Sequence, residues 1–176
     1  MRRPVDENVV RAFLRSFGEA AKEESRVYFT GGVSAVLLGW RSTTVDLNIL
    51  VIPEQDSLFR AIPRLKESLH LNVELASPAD FIPELPGWQE RSLFIAKERK
   101  LSFFHYDFYS QALSKVQRAH SKDVDDVQQM LRRELIEPKR ALELFGIIEA
   151  ELYRFPAIDP PSFKVRVEAT FASCKS

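Results

Sequence analysis

Apolar residues recur along this chain with two different periods, and the switches between them outline its elements. Val9, Val10, Phe13, Leu14 and Phe17 fall at i, i+1, i+4, i+5 and i+8. That is one face of a helix, predicted over 7–23 with Asp6 as its cap. Val27 to Phe29 are β-branched or aromatic and predict a strand. Gly31 and Gly32 then permit a tight turn, and Val33 to Leu38 suit a short helix that stops at Gly39. Val45 to Ile52 is a β-rich run whose alternation puts Asp46 and Asn48 on one face. A helix follows from Pro53–Glu54 to about Leu69, with Leu58, Ile62, Leu65 and Leu69 inward. Leu71 to Ala76 alternates again, a strand with Asn72 and Glu74 on one face.

The second half is richer in breaks. Ser77 to Trp88 holds three prolines and a glycine and predicts a loop, with Phe81, Leu85 and Trp88 covering the core. Arg91–Ala96 and Leu101–Tyr106 predict a hairpin turned at 97–100, with His105 and Asp107 ending its second strand. Ser110 and Ser121 are placed to cap two amphipathic helices, the second with Asp123 and Asp125 in its first turn. On the pattern alone, their charges are a solvated face. A further helix is predicted over 138–153, with Leu142, Phe145, Ile148 and Leu152 inward. The tail fits two patterns: Phe163, Val165, Val167, Ala169 and Phe171 alternate like a strand, while Phe163, Val167 and Phe171 also fit a helix. Ser162 as a cap favours the helix.

The elements together predict an α+β fold: a mixed β-sheet flanked by helices, with a helical C-terminal half. At 176 residues the chain is expected to be one domain, residues 1–108 forming an α/β core and 109–176 a helical part packed on it. It is 45% hydrophobic with 13 Phe, enough for a sizeable core. Lys+Arg and Asp+Glu are 25 each, so a broad electrostatic footprint on nucleic acid is not indicated. The single cysteine, Cys174, leaves no intrachain disulfide. The start of the chain lacks a signal-peptide core, and no stretch of about 18 apolar residues exists to span a membrane. The expected location is cytoplasmic.

The chemistry concentrates at residues 28–51. A Gly-Gly turn opening a helix offers backbone N–H groups to phosphate, and a following strand with polar groups at i and i+2 can hold a cation. This stretch resembles the opening motif of the nucleotidyltransferase superfamily that includes DNA polymerase β. There a Gly-Gly or Gly-Ser turn precedes an Asp-x-Asp strand that holds divalent metal. Gly31–Gly32, with Arg41 and Thr43–Thr44 before the acidic strand, looks most like the AbiEii-like toxin nucleotidyltransferases and their bacterial relatives. Lys115, Arg118, Lys122 and Asp123 are similar to the later motifs of those enzymes. One departure stands out: the second metal carboxylate is Asn48 here.

The resemblance implies a nucleotidyltransferase-like fold and a set of roles. Asp46, Asn48 and Glu74 would hold Mg²⁺ or Mn²⁺, Glu74 standing where the superfamily has its third acidic residue. An acidic side chain on a solvated sheet face explains Glu74 equally well. Thr30, Gly31, Gly32, Ser34, Arg41 and Lys115 would bind a nucleoside triphosphate. Asp46, Lys115 and Asp123 would serve catalysis, with Asp123 orienting the lysine or acting as a base. The product would be a nucleoside monophosphate joined to RNA or to a protein. Because an amide brings no negative charge, Asn48 opens an alternative: a silent nucleotidyltransferase-like binding domain, or a component of a toxin–antitoxin pair with a cognate partner. The plainest alternative is that the two glycines only make a tight turn.

Overall fold

In the computed structural model, which describes residues 3–172, the chain divides into two compact units. One comprises the residues up to Ser77 together with Ser92–Tyr106. The other comprises Pro78–Arg91 and the chain from Asp107 onward. The proline-rich loop therefore belongs with the helices rather than with the sheet. The tail beyond residue 172, including Cys174, lies outside the described residues.

The first unit carries a five-stranded mixed sheet in the order β3-β2-β1-β5-β4. Its strands are β1 (Ser25–Thr30), β2 (Asp46–Ile52), β3 (Asn72–Leu75), β4 (Leu93–Glu98) and β5 (Leu101–His105). β1 runs antiparallel to β2 and parallel to β5, while β2 and β3 are parallel. Strict alternation along β2 buries Leu47, Ile49 and Val51 on one face and leaves Asp46 and Asn48 half-buried on the other. The buried face packs against α1 (Glu7–Ala20) and α3 (Asp56–Ser68). Val10, Phe13, Leu14 and Phe17 of α1 are all buried, as their spacing predicts, and Asp6 accepts the N–H of Val9 as a cap. Phe13 stacks on Phe17, and Phe29 on Phe103. Each such side chain contributes roughly 1.5–3 kcal/mol through burial.

The start of α3 differs from expectation for a clear reason. α3 begins at Asp56 rather than Pro53, because Gln55 is held in extended conformation. Its Oε1 accepts the N–H groups of Lys22 and Glu23, and its Nε2 donates to Ser25 Oγ. α2 (Gly32–Leu38) follows the glycine turn directly, and Gly39 ends it in the left-handed region as the sequence suggests.

The second unit is helical: α4 (Trp88–Arg91), α5 (Phe108–Arg118), α6 (Ser121–Arg132), α7 (Pro138–Ile148) and α8 (Pro160–Phe171). α5 starts two residues before the predicted cap, Ser110, because Asp107 takes that role. The Asp107 carboxylate accepts the N–H groups of Tyr109 and Ser110 and the Ser110 hydroxyl. Arg91 donates to the same carboxylate through Nε and Nη2, at 3.0 and 2.7 Å. Leu85 and Trp88 are buried within this unit, but Phe81 is exposed. The tail is a helix, with Phe163, Val167 and Phe171 buried at i, i+4 and i+8. Asp159 occupies its N-cap position, and Ser162, inside the first turn, donates its hydroxyl to the Asp159 carboxylate. No helix of the described residues is long and apolar enough to cross a membrane.

Candidate functional site

The polar face of the sheet is built by register. Asp46 on β2 stands opposite Asn72 on β3, Asn48 stands opposite Glu74, and Thr30 on β1 stands opposite Asn48. Strand partners share a face, so five polar side chains from three adjacent strands are brought together. Asn72 links the two acids: its Nδ2 donates to Asp46 Oδ1 at 2.8 Å and to Glu74 Oε1 at 3.0 Å. Asn48 contributes a different feature. Its Oδ1 is buried and meets no hydrogen-bond donor among the described residues.

The glycine turn borders this group. Gly31 has φ 71°, a conformation that suits glycine, and a Cβ there would lie 3.5 Å from Asn48 Nδ2. Gly32 is required for space. A Cβ at that position would collide with Thr44 Oγ1 and stand 2.7 Å from Thr44 Cβ and 3.3 Å from Arg41 Nη1. Thr44 and Arg41, which flank the acidic strand in sequence, thus lie over the start of α2, where no side chain caps the helix.

Ser34 faces the other way. It is fully buried, and its hydroxyl lies 2.8 Å from His105 Nδ1, with which it shares a hydrogen bond. Burial, aided by the Arg11 charge, pushes the His105 imidazole down to about 4. The pair is a neutral polar contact within the apolar interior.

Lys115 and Asp123 belong to the helical unit, where they meet each other. The Lys115 ammonium lies 2.8 Å from Asp126 Oδ2 and 3.5 Å from Asp123 Oδ1, and all three side chains are buried. Arg118 adds a two-pronged contact to Asp123 through Nη2 at 2.8 Å and Nε at 3.3 Å. Burial works to raise the Asp123 carboxyl, but the Arg118 hydrogen bond and the Lys115 and Arg118 charges outweigh it and hold it below its ordinary value. Lys122 and Asp125 are exposed, as a solvated face requires, but Lys115, Asp123 and Asp126 are not. Those three form an ion cluster between two helices, and Asp126 is the member that pattern alone did not single out.

Chemically, the sheet face presents hard oxygen donors: carboxylates on Asp46 and Glu74 and the amide oxygen of Asn48. Such donors suit Mg²⁺ or Mn²⁺. The two carboxylates reach the same nitrogen of Asn72, so they converge closely enough to share one ligand. Two negative charges match one divalent ion and fall short of a two-ion clamp, which needs bridging carboxylates. Among the described residues, no group of three or more His, Cys, Asp or Glu side chains is arranged to hold a metal. Comparison with protein-family models, with curated proteins and with solved structures finds no match.

Proposed function

We propose that this chain is a nucleotidyltransferase-type protein that binds a nucleoside triphosphate with one divalent cation and passes a nucleoside monophosphate to RNA or to a protein. One observation carries the proposal: Asp46, Asn48 and Glu74 share one sheet face, directly beside the Gly31–Gly32 turn. A resemblance drawn from residues far apart in sequence is thereby supported by their adjacency in register. A Mg²⁺ or Mn²⁺ ion held there would neutralise phosphate charge and favour in-line attack of an acceptor hydroxyl on the α-phosphorus, with the bond to the β-phosphate breaking and pyrophosphate leaving.

The chain's own residues take the following parts. Asp46 and Glu74 supply the charge that holds the cation, and Asn48 Oδ1 supplies a neutral third ligand. The turn at Gly31 and Gly32 lets phosphate approach the backbone closely, and the Arg41 guanidinium supplies positive charge at the same helix start. Thr30, in register with Asn48, offers a hydroxyl. Ser34 is assigned to the interior, through its bond to His105.

A second reading, a domain that binds without catalysing, is favoured by a specific feature. Two of the four polar positions on β2 and β3 are amides, and one of them, Asn72, occupies the donor position between the acids. The experiment that separates the two is direct. The protein is incubated with each labelled nucleoside triphosphate, total RNA and Mn²⁺, and label transfer to RNA or protein is measured beside an Asn48→Asp variant. Transfer by the natural protein supports the enzyme. Transfer only by Asn48→Asp assigns silence to the missing charge. No transfer by either protein defeats the proposal.

A further inference from the structure

Among the described residues, Asn72 donates hydrogen bonds to both acids of the sheet face, and its chemistry is unusual for such a place. A side-chain amide has two N–H donors on one nitrogen. Here both are used, one toward Asp46 at 2.8 Å and one toward Glu74 at 3.0 Å. Rotating the amide by half a turn would set its oxygen against two carboxylates, so the network fixes the orientation. Asn72 is itself buried, at 7% exposure, and β3 places it opposite Asp46, so it cannot swing away without breaking both bonds. Two carboxylates brought to one point normally require a cation or a shared proton between them. In this protein a neutral amide supplies the positive dipoles.

We propose that Asn72 is a positioning residue that stands in for a cation: it clamps Asp46 and Glu74 through its own N–H groups and competes with any divalent ion for the same carboxylate oxygens. The free protein therefore takes a divalent ion weakly. Loading requires a ligand that brings further negative oxygens, such as a triphosphate, to offset the two bonds that are lost. This deepens the nucleotidyl-transfer proposal and rests on it for the identity of the cation. Asn72 thereby ties cation loading to substrate.

The test is Mn²⁺ binding to the full chain in the absence of nucleotide, followed by electron paramagnetic resonance or calorimetry, with circular dichroism to confirm folding. Removing the clamp with Asn72→Ala should tighten Mn²⁺ binding at least about tenfold, since a charge-assisted hydrogen bond is worth about that factor. Asn72→Asp, which adds a third carboxylate, should tighten it further. Adding Asp46→Ala to Asn72→Ala should remove the gain. If Asn72→Asp folds poorly, its melting temperature should rise on adding Mn²⁺ by more than that of the natural protein. Binding by folded Asn72→Ala no tighter than by the natural protein overturns the inference, whatever the third carboxylate of Asn72→Asp adds, and so does a gain that survives Asp46→Ala. No nucleotide enters the measurement. A failure of label transfer together with a tenfold gain here would leave the clamp standing and remove only the enzymatic proposal.

Discussion

Replacing Lys115 with methionine keeps the length of the side chain and removes its charge. In the helical unit the ammonium lies 2.8 Å from Asp126 and 3.5 Å from Asp123, and all three groups are buried. Asp123 keeps Arg118, but Asp126 loses its ammonium. Breaking a buried pair by removing one partner costs about 3–5 kcal/mol, because the remaining charge stays out of water. For a chain of this size, each kcal/mol moves the melting temperature by roughly 2–4 °C, so Lys115→Met should melt on the order of 10 °C lower. Thermal and urea unfolding at pH 7 measure this. Lys115→Met/Asp126→Asn should recover at least about 1 kcal/mol relative to the sum of the single changes, the coupling expected of groups in contact. Melting of Lys115→Met within about 1 kcal/mol of the natural protein would refute the reasoning. If stability is unchanged while affinity for a nucleoside triphosphate falls, the lysine serves phosphate instead, as the resemblance implies.

Other consequences are open to simple measurements. The folded protein holds His105 neutral down to about pH 4, whereas the unfolded chain takes up that proton near 6.5. Stability should therefore rise with pH through this window and be lost on acidification, by up to about 3 kcal/mol. His105→Gln should flatten that slope in pH-dependent urea unfolding, and an unchanged slope would place the acid sensitivity elsewhere. Gly32→Ala should destabilise by about 1–3 kcal/mol, because Thr44 must move to admit a Cβ. Gly146→Ala, in α7 with open space around it, should instead stabilise by about 0.5–1 kcal/mol. Similar melting temperatures for these two variants would contradict the packing described at the turn.

Periodicity revealed what depends on one element at a time. The stripe of α1 and the alternation of β2 put Phe13, Phe17, Leu47 and Ile49 inside because a face that is apolar at the right period has one stable orientation. The shared face of Asn72 and Glu74 was legible for the same reason. What the pattern hid depends on where two elements cross. Lys115 and Asp126 sit eleven positions apart on different helices, and only the packing of α5 on α6 makes them partners. The link from Asn72 to Asp46 needed the pairing of β2 with β3. Asp107 read as a strand end because a capping role is fixed by where the backbone turns, and Asp107 adopts it only with Arg91 and Ser110 around its carboxylate. The proline-rich stretch was legible as a loop, but its place beside the helices was not, since loops carry no period.

The central claim is that the face bearing Asp46, Asn48 and Glu74 holds a divalent ion together with a nucleoside triphosphate. A thermal-shift titration with Mg²⁺, with each nucleoside triphosphate and with both together tests it most directly. The account predicts a rise in melting temperature with the combination that exceeds the effect of either alone and disappears in Asp46→Ala. A melting temperature unmoved by every combination, or a rise that Asp46→Ala retains in full, would contradict it.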